Sequence, residues 1–478
     1  MLNLSSLYKL IAAVGICLCL AQCKVPAVVS APAKREVPSA YNELPDSANS
    51  STLSWREFFN DSYLVSLIDT ALKNNQELMM TLQEIEIARN EIQMRQGQLM
   101  PSVAGRAGLG FDKVGRYTSQ GAGDASTDIK DGKEVPEWLP DYIVGAYAHW
   151  EVDIWKKLRN SKQAAIARYL STVEGRNFVI TNLIAEIANA YYELRALDNQ
   201  LMIVRQTIGL QKNALEVVKV QKEASRVTEL AVKKFEAEVL NSQSLEFDLL
   251  QKIKERENEI NFLLARYPQP VPRDTASFVD MPLQTMHTGI PAQLLRNRPD
   301  ITQAELELSA AQLDVKVARA EFYPTLDITD SLGFNAFNPS YLVKFPESLI
   351  ASLAGDLAGP LINKNAIRAE YRNANARQLQ AVFNYQKTIL NAYLEVSTAL
   401  SNLDNLGKKF DLKLKEVAAL TNSVDISNDL FKSARADYFE VLMTQRDALS
   451  TKLELIETKL SQLNAVTNLY RDLGGGWN

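Results

Sequence analysis

The chain has 478 residues, with 52 Lys and Arg against 57 Asp and Glu and a net charge of −5. That balance offers no basic surface to a phosphate backbone, so nucleic acid is excluded as a partner. Two histidines, His149 and His287, and three cysteines that all precede residue 24 are too few for a His/Cys metal cluster, a disulfide framework or a cysteine nucleophile in the body of the chain. No metal and no cofactor is expected. The chain holds only 20 Gly and 17 Pro, which favours long uninterrupted helices.

Lys9 is followed by an apolar run over 10–21. It is too short to span a bilayer and has the length of a secretory h-region, so 1–22 reads as a signal peptide and the protein as exported. The run ends Leu20-Ala21-Gln22-Cys23, which resembles a bacterial lipobox. That implies acylation of Cys23 as the first mature residue, although Gln22 stands where a small residue is usual; the alternative is cleavage near Ala31. Residues 23–57 follow as an N-terminal extension. No later stretch of eighteen apolar residues exists, so the chain can enter a bilayer only as β-strands.

The body is a duplication, with a first repeat over 58–265, a linker over 266–290 and a second repeat over 291–473. At an offset of 223, Pro101 falls on Pro324, Ala88 on Ala311 and Ile92 on Val315. Further on the offset settles at 209, where Arg159 meets Arg368, Ala165 meets Ala374, Asn182 meets Asn391, Glu186 meets Glu395 and Leu264 meets Leu473. Each repeat reads as helix, two strands, long helix, break, long helix.

The strands are expected over about 102–116, 141–154, 325–337 and 347–361, where apolar and polar residues alternate. Asp330 is the exception on the apolar side of the third. Trp138, Tyr142, Trp150 and Trp155 mark strand ends as interface aromatics would, and a polar Gly/Asp-rich loop joins the first two strands. A soluble half-buried sheet would alternate in the same way. The long helices are predicted over 156–222, 227–266, 363–432 and 437–473. In the first, Ile180, Ile187, Leu194, Leu201, Ile208 and Leu215 recur every seven residues, interleaved with Leu183, Ala190, Leu197, Val204 and Val218, which is the seam of a coiled coil. Only a few residues separate partners at the breaks near Ser225 and Ala434, so each pair is an antiparallel hairpin. Four strands leave two open edges, which hydrocarbon does not tolerate, so several chains must pool their strands; three would give twelve around a polar lumen.

Leu295-Arg296-Asn297-Arg298-Pro299-Asp300-Ile301, followed by Ala304, Glu305, Ala310, Ala311, Ala318, Phe322 and Pro324, resembles the signature of TolC-like outer membrane efflux proteins. The end, Leu469-Tyr470-Arg471-Asp472-Leu473 with Gly474, Gly475, Gly476 and Trp477, is similar to the terminus of that family's NodT-type lipoprotein branch, as is the opening Trp55-Phe58-Phe59-Asn60-Asp61. The resemblance implies an α+β membrane protein with a duplicated unit. It would be a trimer with a twelve-strand outer membrane β-barrel, four strands per chain, continued by a long periplasmic α-helical coiled-coil barrel. It also implies a passive duct served by a periplasmic adaptor and an inner-membrane pump, the barrel lying in outer membrane lipid. Asp437, Phe439, Glu440 and Met443 would form a periplasmic constriction, with Met443 where relatives carry a further Asp. The carboxylates of Asp437 and Glu440 equally suit a helix start, where they meet the N-terminal dipole. The hairpin tips, with Ser225, Arg226, Val227, Thr228, Ala434, Arg435 and Ala436, are expected to dock the adaptor.

Other readings carry less. Gly105, Gly108 and Gly110 sit in an alternating strand with no βαβ unit behind them, so no dinucleotide loop is expected. Gly474–Gly476 reads as a frayed tail over 474–478, because no helix follows it. No nucleophile stands with a base at motif spacing, so an enzyme is not expected. The outer membrane channel of a type I protein secretion system and a periplasmic coiled-coil adaptor or scaffold are the alternatives to an efflux duct.

Overall fold

The computed structural model describes residues 37–41, 48–274, 278–360, 362–433 and 435–477, so Cys23 and Ala434 lie outside the described residues. The elements run α1 (Trp55–Phe58), α2 (Ser62–Asn74), α3 (Gln76–Gly97), β1 (Ser102–Asp112), α4 (Ser119–Asp124), β2 (Asp128–Lys130), β3 (Lys133–Glu134), β4 (Leu139–Val152), α5 (Lys157–Glu223) and α6 (Glu229–Leu263). The second half follows with α7 (Leu294–Asn297), α8 (Pro299–Ala320), β5 (Thr325–Ala336), β6 (Leu349–Ala358), α9 (Asn365–Lys432) and α10 (Tyr438–Asp472). The four long helices fall within two or three residues of their predicted bounds.

Two compact units cut across the repeat, one holding 86–169 with 306–382 and the other 33–85, 170–305 and 383–478. The first is the strand-bearing unit. Its sheet is antiparallel throughout with order β1-β4-β5-β6, so the hairpin of each repeat meets the other along β4 and β5. All four predicted strands form, but β1 stops at Asp112 and β6 spans only 349–358. The turn that ends with Ser348 and Leu349 donating to Lys344 and Pro346 takes up the expected start of β6, and Gly359 beside Pro324 closes its end. The stretch read as a polar loop carries short structure of its own: Thr118 caps α4 through Gly121 N, and β2 pairs with β3.

The second unit is helical, and its core follows the predicted seam. Ile180, Ile187, Leu194, Leu201, Ile208 and Leu215 are all 8 % exposed or less, as are the interleaved Leu183, Ala190, Leu197, Val204 and Val218. At about 1.5 Å per residue the 67-residue α5 is on the order of 100 Å long. Against this seam pack Ile253 and Ile260 of α6, Ile456 and Leu463 of α10, and Leu64, Leu67 and Ile68 of α2. Asp61 caps α2 by accepting from Tyr63 N, and its carboxylate also takes the Tyr191 hydroxyl at 2.7 Å and Arg195 Nη1 at 3.1 Å.

The C-terminal tail is not frayed. Gly474, Gly475 and Gly476 are buried, and Trp477 Nε1 donates to Asn297 O at 3.1 Å. Gly474 has φ +89°, and a Cβ there would meet Asn297 O at 2.4 Å, so only glycine lets the tail lie on α7. The Tyr470 ring stacks on Phe58 at 4.0 Å while its hydroxyl donates to Leu53 O at 2.6 Å, which draws the segment just before α2 into the core.

Arg298, 6 % exposed, closes this region. It donates to Asp300 at 2.7 Å, to Glu395 at 2.7 Å and to Asp472 O at 3.0 Å. Burial works against its charge, yet the bonds to Asp300 and Glu395 prevail and hold the guanidinium above its ordinary value. Burial also raises the Asp472 carboxyl, against the pull of Arg471 and Arg298. Removing the cation takes their shared partner from the half-buried Asp300 and Glu395 carboxylates and from Asp472 O, so Arg298→Met is expected to cost about 1–3 kcal/mol, read as a lowered thermal unfolding midpoint. A midpoint within error of the parent protein would show that the cluster carries no such weight.

Candidate functional site: an apolar sheet face and two hairpin tips

Strand register sorts the sheet into two chemically distinct faces. On one face Gly105, Ala146, Leu332 and Ala351 align, then Ala107, Val144, Phe334 and Leu349, then Val152, Leu326 and Leu357. On the other, Ala104, Tyr147, Ser331 and Ser352 align, as do Ser102, His149, Thr329 and Ala354. Ser331 and Ser352 share a hydrogen bond of 2.8 Å. The apolar face is uncovered within the chain: Val103 is 71 % exposed, Leu353 77 % and Leu357 66 %. An exposed apolar face of this extent, on strands of ten to fourteen residues, suits hydrocarbon and not water. Asp330 is the exposed exception, aligned with Ala148 and Leu353.

Aromatics stand at both ends of the strands. Trp138 and Phe345 are exposed near one end, and Lys113 lies 5.5 Å from the Trp138 ring. At the other, Trp155 stacks on Tyr323 at 4.8 Å and donates to Pro324 O, while Trp150 donates to Leu99 O. Rings with one wet edge favour a membrane–water boundary. His149 lies 3.7 Å from Asp327, and Glu151 pairs with Lys157 of α5; among the described residues no cluster could hold a metal ion.

Gly145 and Gly333 sit opposite each other within the β4–β5 pair. A Cβ on Gly333 would meet Val144 O at 2.6 Å and the Gly145 Cα at 2.6 Å, so this crossing tolerates no side chain. Sequence reasoning did not single them out, though a glycine inside an alternating pattern is a signal of close backbone approach.

The two hairpin ends share one backbone bond at equivalent positions. Ser225 adopts φ +61° after α5, with Ser225 N bonded to Lys222 O and Arg226 N to Gln221 O, a Schellman arrangement. At an offset of 209, Arg435 N bonds to Leu430 O. Thr228 then caps α6 through Ala231 N, with Ser225, Arg226 and Thr228 exposed and Val227 half-buried. Arg435 is exposed and Ala436 half-buried. Beneath the tips Leu215, Val218, Phe235, Val441 and Leu442 form one apolar cluster, so the two hairpins share a core there.

Asp437 precedes α10 without a side-chain capping bond, and Glu440 lies in its first turn. Phe439, Glu440 and Met443 are all exposed, whereas Val441, Leu442 and Gln445 are buried. The four residues predicted for a constriction therefore stand on the uncovered side of one helix start, with Phe439 and Met443 one turn apart.

A sheet with one apolar exposed face, joined to long helical hairpins and duplicated within a chain, defines an outer membrane channel subunit. The model of the family described as outer membrane efflux protein matches twice, over residues 67–266 and 290–475, and the chain belongs to that family. It is 27 % identical over 424 residues to the pyoverdine export outer membrane protein OpmQ of Pseudomonas aeruginosa, covering 88 % of this chain and 87 % of that one. To the cation efflux system protein CusC of Escherichia coli it is 25 % identical over 447 residues, covering 93 % of each. The open state of the Neisseria gonorrhoeae MtrE outer membrane channel has the same fold, with a TM-score of 0.82 at 22 % identity over 95 % of this chain and 98 % of that one. The protein is thus the outer membrane channel component of an efflux system.

The glycine crossing yields a direct test of the sheet. Gly333→Val, which forces a branched side chain against Val144 and Gly145, should abolish detergent-resistant assembly in outer membrane fractions. Gly355→Val, where a Cβ meets nothing within 4 Å, should leave assembly intact.

Proposed function

We propose that three copies close a twelve-strand barrel and form a passive exit duct, fed by an inner-membrane pump through a periplasmic adaptor. The observation that carries this reading is the uncovered apolar sheet face with β1 and β6 as edges of a four-stranded sheet. In hydrocarbon each unpaired backbone group of such an edge costs several kcal/mol, and pairing β6 of one copy with β1 of the next removes both edges. Mass measurement of the intact assembly in mild detergent is expected to give three chains, each beginning at an acylated Cys23. A membrane-inserted monomer would overturn the architecture; a start beyond Cys23 would overturn only the lipid anchor.

The tips at Ser225–Thr228 and Arg435–Ala436 are the proposed adaptor surface, since Ser225, Arg226, Thr228 and Arg435 are exposed there and Thr228 caps α6. Repeat boundaries at 58–265 and 291–473 are proposed with them. One relative is named for pyoverdine export and another for cation efflux at nearly equal identity, which supports leaving cargo choice to the pump. Three copies of Glu440 and Asp437 brought round one axis would concentrate negative charge and favour cations. Glu440→Gln with Asp437→Asn should then lower cation selectivity in planar bilayers; unchanged selectivity would move the constriction away from these residues.

A further inference from the structure

The second row of the α5 seam is apolar at 183, 190, 197 and 204 and again at 218, and the position it skips is Gln211. Gln211 is 1 % exposed, and neither its Oε1 nor its Nε2 meets a hydrogen-bond partner. It lines a cavity of about 270 Å³ between the two hairpins of the helical unit, together with Phe235 of α6, Asn428 of α9 and Gln445 of α10. Gln445 is 8 % exposed; its Nε2 donates to Asn428 Oδ1 at 3.4 Å and its Oε1 has no partner. Asp425 and Lys432, at the rim, are exposed, and Lys432 pairs with Asp429; Lys452 is half-buried. Two nearly buried amides thus face one space from opposite hairpins, between the apolar layer at Val204 and Ile208 and the apolar cluster under the tips.

A cavity of this size holds several waters, each taking about 30 Å³, and its lining supplies the polar partners that a buried water requires. Interdigitated apolar layers cannot slide without opening voids, whereas water-bridged amides exchange partners over a small shift at little cost. We propose that the Gln211–Gln445 layer is a hydrated joint between the hairpins, the level at which the α9–α10 tip shifts against the α5–α6 tip. The proposal rests on the reading of Phe439, Glu440 and Met443 as a constriction, because these residues ride on α10 beyond the joint.

Gln211→Leu combined with Gln445→Leu keeps side-chain volume and removes the amides that hold the bridging waters, so the layer packs as an apolar contact that cannot shift without opening a void. In the full-length assembly, amide exchange over 206–222 and 424–445 should slow by roughly tenfold, and the fraction of time a single channel spends open should fall several-fold. Gln211→Asn, which stays polar, should keep parental exchange. Exchange that is unchanged or faster in the double variant and in each single variant would overturn the joint. If the exchange slows as expected but the channel opens as before, the joint stands and the constriction reading fails.

Discussion

Backbone amides and carbonyls have no water to turn to inside hydrocarbon, and this constraint governs the whole molecule. A four-stranded sheet satisfies it along its interior pairs and fails at β1 and β6, so the strand-bearing unit is complete only in company. The apolar face states the same requirement in side chains. The Gly145–Gly333 crossing, the serine pair of Ser331 and Ser352, and the tryptophans bonded to Leu99 and Pro324 hold the register in which that face stays uniform. Asp330 is the one residue on it that breaks the rule.

The helical unit answers a different demand. Its long helices bury a seam of mostly medium-sized apolar residues, a geometry that yields length instead of bulk. Stability at the level of the sequence signature comes from polar closure: Arg298 gathers Asp300, Glu395 and the end of α10, and Asp61 gathers α2 with Tyr191 and Arg195. Arg298, Asp300 and Asp61, which carry part of the family resemblance, therefore brace the helical unit. The exposed tips and the start of α10 are the parts left free to meet partners.

Much of this was legible in the chain. Periodicity of seven placed α5, and its predicted seam positions are buried; alternation placed four strands, and the offset of 209 reappears in the capping bonds of the hairpin ends, with Arg266 N to Asn261 O matched by Gly475 N to Tyr470 O. What escaped was tertiary. Nothing local tells that Gly474 must lie against Asn297, so three glycines at a terminus read as fraying when they are packed. Gly145 and Gly333 lie 188 apart in sequence, and their mutual need appears only once β4 and β5 are neighbours. The residues proposed for a constriction were legible as a helix start, but that proposed use depends on copies that one chain does not contain.

The pairing of β4 with β5 has a consequence for how the protein is made. Tyr142 meets Ala336, so the central ladder joins segments separated by α5, α6, α7 and α8. Each repeat contributes a hairpin, and an isolated two-stranded hairpin is marginal in water. Secretion delivers the N-terminal hairpin long before its mate, and during that interval an apolar ribbon with open edges is exposed in the periplasm. Closing the ladder is a long-range step that comes late and slowly. Until β5 pairs along β4, the first hairpin keeps an open edge, so the sheet cannot be completed before the second repeat has followed the first.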